Sequence, residues 1–430
     1  MAARNLLLAT GFIALLPMAA GAAGFAFYEA GAKAVGMSGA FTATADDPSA
    51  IYYNPAGLAF QKGTMIMAGG TFVVPTYSFK GANPFPGQGV SEHGKNKLHL
   101  VPGVYYRHPI NDQIMVGIGT FLPFGLGTEW ENPTRFTGRF ISQKADLKSL
   151  SIQPTIAYKV NDWMGVGFGL DIRESVVNFQ RNRAFLNPFT QHVVDLAKID
   201  MQSNWKTSVG FSFGVLVKPI QDWRVGFSYR HSVKTDFDGT ATFEFIPTGN
   251  PLIDPILKAQ VPQGDRKVAT SINFPKEMSL GIATTMISKM TIEVDVNYTG
   301  WSTFDELVID FKDLGQKTVF PEKYKDCFNF RFGIERVLNE KLALRGGYYY
   351  DESPQPLEST GPLLPDSDRQ GINFGAGYKM GRWSVDGSAI LTLFNERSTV
   401  FEGLPQNRDN YNGTYRNHAI LASASLSYAF

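Results

Sequence analysis

From about residue 62 to the end of the chain, apolar and polar side chains alternate with a period of two, the period of a pleated strand. In residues 290–299, Met290, Ile292, Val294, Val296 and Tyr298 share one face, and Thr291, Glu293, Asp295, Asn297 and Thr299 share the other. Phe328, Phe330, Phe332 and Ile334 likewise oppose Asn329, Arg331 and Glu335. Val166, Phe168, Leu170 and Ile172 oppose Gly165, Gly167, Gly169, Asp171 and Arg173. At the end of the chain, Ile420, Ala422, Ala424, Leu426, Tyr428 and Phe430 oppose Ser423, Ser425 and Ser427. A soluble sandwich alternates too, but its strands are usually only ~5–6 residues long. These runs reach the ~10 residues that a tilted spanning strand needs. Their polar face is rich in Gly, Ser and Thr with scattered charges of both signs, as a lumen would be. In hydrocarbon every backbone N–H and C=O needs an internal partner, so spanning strands must close into a barrel.

The expected fold is therefore all-β, a transmembrane antiparallel barrel of about fourteen strands. Their expected places are 63–80, 96–109, 113–122, 145–160, 163–180, 203–218, 223–237, 267–286, 290–310, 327–338, 341–350, 369–380, 383–401 and 415–430. Short polar turns at Asn111, Asn161, Gln221 and Asn339, with Ser288-Lys289 and Gly381-Arg382, recur once per hairpin. Between them lie longer connections at 122–144, 181–203, 238–266, 311–326, 351–368 and 402–414. Short turns at one rim and long loops at the other are the outer-membrane arrangement, with the short side periplasmic.

The first sixty residues break the pattern. Arg4, the apolar run at residues 6–16 and Ala20-Gly21-Ala22 read as a signal peptide over residues 1–22. Residues 23–60 are small, mostly uncharged and not strand-patterned, and Gly24, Gly31, Gly36, Gly39 and Gly57 interrupt any long helix. Pro48 suits a first helical position, and Pro55 pushes Asn54 out of the helical region. A barrel this wide has a lumen that its own side chains cannot fill. We read 23–60 as an α-helical plug, or hatch, within the lumen of a barrel spanning 61–430.

Composition narrows the picture. The net charge of +1 favours no nucleic-acid partner. Charged residues make up only 18% while aromatics reach 13%, and there are 43 glycines, which fits strands with close approaches and aromatic interfaces. A single cysteine, Cys327, excludes an intramolecular disulfide and paired-cysteine metal motifs. No cofactor and no metal is expected.

Residues 23–60, AGFAFYEAGAKAVGMSGAFTATADDPSAIYYNPAGLAF, resemble the N-terminal hatch of the FadL/TodX family of outer-membrane transporters. The resemblance continues through YRHSVKTDFDG (229–239), NFPKEMSLGIA (273–283), YTGWSTFDEL (298–307), GYYYDESPQP (347–356) and LPDSDRQGINFGAGY (364–378). It implies a plugged fourteen-stranded barrel that moves hydrophobic molecules passively across the outer membrane of a Gram-negative cell. The implied substrates are long-chain fatty acids or, alternatively, aromatic hydrocarbons. It places Asn54, Pro55 and Ala56 in the hatch, with Gly24, Phe25 and Phe27 reaching a ligand pocket from below. It also implies that the hatch shifts on binding and that substrate leaves sideways, beside an inward kink of the third strand. GTFLPFGLG (119–127) is the candidate, with Phe121, Pro123, Phe124 and Gly125, because Pro123 cannot donate to a ladder.

Capture of an apolar solute needs exposed apolar loop residues. Phe185, Leu186, Pro188 and Phe189, with Phe243, Phe245 and Ile246, are the candidates. A fatty carboxylate would want a cation, and Arg173, Arg181, Arg183 and Arg369 are in reach of the outer end. The expected surroundings are outer-membrane lipid and lipopolysaccharide, and the expected state is a monomer. Two other classes compete. A polar porin should carry an arginine ladder and no plug. A barrel enzyme needs a Ser–His pair, and none of the six histidines sits in a known motif.

Overall fold

The computed structural model describes residues 24–187 and 191–430. The leader expected at 1–22 and the candidate Phe189 lie outside the described residues. Fourteen antiparallel strands form a closed ring: β1 (Met65–Gly81), β2 (His99–Pro109), β3 (Ile114–Glu129), β4 (Lys144–Lys159), β5 (Met164–Leu186), β6 (Lys206–Ile220), β7 (Trp223–Arg230), β8 (Glu277–Thr284), β9 (Met290–Thr299), β10 (Cys327–Val337), β11 (Leu342–Asp351), β12 (Arg369–Met380), β13 (Trp383–Phe394) and β14 (Gly413–Ala429). Seventeen register pairs, from Met65↔Ala429 to Gly81↔Gly413, join β1 to β14 and leave the sheet without an edge.

Alternation decides which face meets lipid. On β10, Phe328 and Phe330 are exposed on the outside, while Asn329 and Arg331 are buried inside. On β9, Val294 points out and Glu293 and Asp295 point in. Three of the short turns use one chemistry. The side-chain oxygens of Asn111, Asn161 and Asn339 each accept two backbone N–H bonds, from residues two and three places on.

The outer rim is more strand-rich than the alternation implies. Val193–Ser203, expected as loop, is a strand that pairs with the end of β5 and with Val233–Phe245. Val233–Phe245 in turn pairs with Arg266–Phe274, and the hairpin Glu306–Phe311 with Gln316–Pro321 caps this sheet. β7 and β8 are thus lower halves of longer strands, interrupted at residues 231–232 and 275–276.

Residues 24–60 lie against inward-facing side chains from around the ring. Ser425 on β14, Glu293 and Asp295 on β9, Arg331 on β10, Asn373 on β12 and Gln153 on β4 all bond to their backbone. This segment is less helical than expected. It holds a five-residue α-helix, Ala32–Gly36, a four-residue one, Ala50–Tyr53, and the 3₁₀ helix Pro55–Phe60. Pro48 does not begin the second helix, because Asp47 Oδ1 captures the Ser49 N–H and hydroxyl in a turn of its own. Asn54 is extended (φ −157°, ψ 102°), and its side chain accepts the Ala56 N–H, which caps the 3₁₀ turn.

Candidate functional site

The wall is interrupted between β2 and β3. β2 pairs with β3 only from Val104↔Thr120 to Pro109↔Met115. Above that, β3 turns away. Phe121 faces Ser151 on β4, and Phe124 faces Ser149, so Leu122 and Pro123 oppose Leu150 alone. Two residues opposite one is a bulge, which bends the strand. The chain segments that continue them meet again at the bridge Gly94↔Trp130, flanked by the Lys95 N–H to Glu129 C=O bond of 2.7 Å and the Glu131 N–H to His93 C=O bond of 2.9 Å. A gap therefore stands between His99–Gly103 and the upper half of β3.

The start of the described chain fills the inner side of this gap. Ala26 bridges Phe124; the Phe27 N–H donates to Pro123 C=O at 2.8 Å, and the Gly125 N–H donates to Phe25 C=O at 2.9 Å. The backbone groups released by the bulge thus find partners on residues 25–27. Tyr52 and Tyr53 hold the same stretch by donating their hydroxyls to Phe27 C=O and Tyr28 C=O, at 2.5 and 2.6 Å.

Phe25 forms one wall of an apolar cavity. The other walls come from Leu126 on β3, Leu147 on β4, Phe179 on β5, Met201, Phe237 and Ile309. No lysine, arginine or histidine lines it; its charged residues are Asp146 and Asp238. The Phe25 ring centroid stands 4.5 Å from that of Trp301 and 5.4 Å from that of Phe304, both edge-on. The backbone N–H of Gly24 donates to Asp366 Oδ2 at 3.0 Å, as does the Ser353 hydroxyl at 2.7 Å. Burial pushes the Asp366 carboxyl up to about 6.

Four consecutive amides of residues 41–44 rest on β9. Asp295 Oδ2 accepts from Phe41 and Thr42, both at 3.0 Å. Glu293 accepts from Ala43 at 2.6 Å and from Thr44 at 2.9 Å. Glycines on neighbouring strands let the backbone come this close. A Cβ on Gly226 would stand 2.1 Å from Thr42 C=O, and one on Gly214 would stand 2.1 Å from Asn54 Oδ1.

Of the expected site residues, Phe25, Phe27, Phe121, Pro123, Phe124 and Gly125 gather at the gap and the cavity floor. The expected carboxylate binders do not line the cavity. Arg173 is fully buried, donates to Asp171 at 2.6 Å and lies between the rings of Phe124 and Phe274. Arg369 is bidentate to Asp351, which also takes Arg331. Arg181 stacks over Phe320. Phe185 and Phe245 pack beside Leu196 and Leu257, Phe243 packs both there and on the cluster that walls the cavity, and Leu186 is exposed. Sequence reasoning missed Phe179, Phe237 and Ile309, which lie at the ends of expected strands with alternation as their only local signal, and Met201, which lies in a stretch expected as loop. The letters Gly210-Phe211-Ser212-Phe213-Gly214 match a hydrolase nucleophile elbow, but they lie within β6, and Ser212 accepts from Gln153 at 2.9 Å. An elbow requires a strand-to-helix turn.

The model of a family described as outer membrane protein transport protein (OMPP1/FadL/TodX) matches residues 13–430. The chain belongs to this family. It is accordingly an outer-membrane β-barrel and a transport protein rather than an enzyme. Among relatives of this OMPP1/FadL/TodX protein, a "long-chain fatty acid transport protein" of Escherichia coli O6:H1 is 24% identical, with 97% of each chain covered. "Outer membrane protein P1" of Haemophilus influenzae is 26% identical, covering 97% of this chain and 98% of that one. A Pseudomonas aeruginosa FadL homologue superposes with a TM-score of 0.81 at 20% identity, over 95% of this chain and 100% of that one. The Pseudomonas putida toluene transporter TodX gives a TM-score of 0.70 at 17% identity, over 89% and 94%.

Proposed function

We propose that the chain imports hydrophobic molecules passively, foremost long-chain fatty acids, by an inner route that ends sideways in the bilayer. The reading rests on one observation: residues 24–28 and the bulge they bond to stand between the apolar cavity and the lower part of the wall gap. Exposed apolar side chains on the outer loops, such as Leu186, Leu252 and Ile256, collect the solute. Transfer into the cavity removes its surface from water, at ~25 cal/mol per Å². A cavity walled by apolar side chains with few polar groups suits an apolar chain. Entry displaces Phe25, residues 25–27 release Pro123 and Gly125, and the solute passes through the gap beside β3. Residues 24–60 act as the hatch throughout, and the working unit is one chain amid outer-membrane lipid and lipopolysaccharide.

Aromatic hydrocarbons are the second reading. It is favoured by the absence of any cation among the residues lining the cavity, since a neutral solute needs none.

The test is uptake of oleate and of toluene by a strain lacking its own transporter. A second arm deletes Leu122, which restores one-to-one pairing of β3 with β4 and closes the gap. Uptake of at least one solute by the native chain, and its loss on deletion, supports the reading. Uptake of neither, or a steady large ion conductance, refutes it.

A further inference from the structure

The gap beside β3 is graded in polarity along its height. Its lower part is narrow and lined mostly by Phe27, Val101, Tyr105, Phe121 and Leu122, with Glu29 at the hatch side. Its upper cleft is lined by Lys95, Lys97, His99, Glu129, Lys144 and Asp146. The period of the strand puts Lys144, Asp146 and Lys148 on one face of β4, opposite to the face by which Leu147 meets the apolar cavity. Lys148 reaches Asp146 at 3.7 Å, and Lys97, Lys144 and Lys148 all act on its charge. Glu129 is shared by Lys95 and Lys97. Four ammonium groups therefore surround two carboxylates at the outward end of an apolar slot. Asp146 and Ala145 border both this cleft and the main cavity, so the two spaces adjoin.

We propose that Lys97, Lys144 and Lys148 bind the carboxylate of a long-chain amphiphile at the outer end of the gap, while its tail lies in the apolar part below. The proposal rests on the transport reading above and supplies the cation that the cavity lacks. The order of the two chambers matches the order of the molecule: headgroup at the level of the lipid headgroups, tail towards the membrane centre. A fatty acid held this way enters the outer leaflet already oriented. A neutral hydrocarbon gains nothing from the lysines, so they select between the two substrate classes.

The experiment compares oleate with methyl oleate, which has the same chain and no charge, in cells carrying the native chain, Lys144→Gln, or the triple variant Lys97→Gln/Lys144→Gln/Lys148→Gln. Lys144→Gln breaks no ion pair of the described residues, so it tests the charge without disturbing the wall. A triple Lys→Arg variant tests rescue, and heat-modifiable gel mobility reports the intact barrel. Oleate uptake should fall about tenfold in the triple variant, the scale of one charge-assisted hydrogen bond. It should fall less in Lys144→Gln, be restored by arginine, and leave methyl oleate unchanged. An equal fall for both solutes, or no fall for oleate, overturns the proposal. So does unchanged oleate uptake with loss of co-purified lipopolysaccharide, which assigns the lysines to its phosphates. A native chain that takes up neither ester nor acid refutes the transport reading itself.

Discussion

Replacing Glu293 and Asp295 together by alanine should unseat the hatch without opening the barrel wall. These two side chains accept four backbone N–H bonds, from Phe41, Thr42, Ala43 and Thr44, and all four residues are buried. Each buried donor left without a partner costs ~1–3 kcal/mol, so the gross loss is about 4–12 kcal/mol. Removing two carboxylates that no lysine or arginine contacts returns part of this through relieved desolvation. A net loss of about 4 kcal/mol is a thousandfold change in the ratio of seated to unseated hatch. The assay places a cysteine at Thr44, which is 3% exposed, in a chain whose own Cys327 is exchanged for alanine. A membrane-impermeant maleimide should leave it unlabelled with the native carboxylates and label it readily in the double alanine variant, with bursts of ion conductance. The amide variants grade the effect. Asp295 uses one oxygen for both bonds, so Asp295→Asn should be nearly silent. Glu293 uses one oxygen for each, so Glu293→Gln keeps one bond and loses the other. Unchanged labelling in the double alanine variant would refute the reasoning.

Gly214→Ala forces a methyl group to within 2.1 Å of Asn54 Oδ1, an overpacking worth ~1–3 kcal/mol, and should raise ion leakage. Gly387→Ala meets its nearest atom at 3.9 Å and should not; equal leakage in both would exclude packing as the cause. Phe25→Ala removes the ring that packs on Trp301 and Phe304, at a cost of ~3–5 kcal/mol to the seated N-terminal stretch. A fluorescent apolar probe should show altered affinity, and unchanged binding counts against Phe25 as a wall of the cavity. The Asp366 carboxyl titrates near 6 in the folded chain, above its ordinary value of 3.8. Its contribution to stability is therefore complete below about 4 and lost as pH rises through 6. Protection of the amides of residues 24–27, taken as exchange relative to the intrinsic rate at each pH, should be greater at pH 4 than at pH 7.5, and Asp366→Asn should flatten the difference.

The barrel was legible because its two faces meet chemically different media. Lipid on one side and a polar lumen on the other impose alternation at Phe328/Asn329 and Val294/Asp295 that no packing detail obscures. Above the membrane both faces of a strand meet protein, and the signal fades. Val193–Ser203 reads as loop for that reason, yet it carries Met201 into the cavity. The cavity itself joins Leu126, Phe179, Phe237 and Ile309, which are far apart in the chain and share no motif. Phe25 and the bulge at Pro123 stood out, one by its place in a resembling segment and the other because proline lacks an N–H. The arginines misled. Arg173 and Arg369 sit where a carboxylate binder was sought, but buried Asp171 and Asp351 already occupy them. The lysines of the upper cleft went unnoticed because they flank a stretch read as a loop.

On the proposed transport reading, two arginines of the lumen indicate which part of the hatch is free to act. Arg331 donates to Ser38 C=O at 2.9 Å and stacks 4.4 Å from the Tyr28 ring. Arg230 donates to Tyr52 C=O at 3.0 Å and stacks 5.0 Å from the same residue's ring. Each guanidinium therefore ends on the hatch, with a carboxylate behind it, rather than facing a water-filled channel. To expel residues 35–60 as a body, the chain would have to break these bonds, the Asn373 bond to Val35 C=O and the four amides on β9 together. Leaving so many buried polar groups unpaired costs far more than a binding solute returns. Residues 24–27 are different. Besides Asp366 and the Tyr52 hydroxyl, their partners are the bulge of β3 and apolar side chains, whereas Tyr28 is tied to Thr299, Asn329 and Arg331. A hydrophobic solute competes for those apolar contacts directly. Differential binding of the solute can therefore shift this stretch and leave the rest seated, so the device that opens the route is the one that lines the pocket.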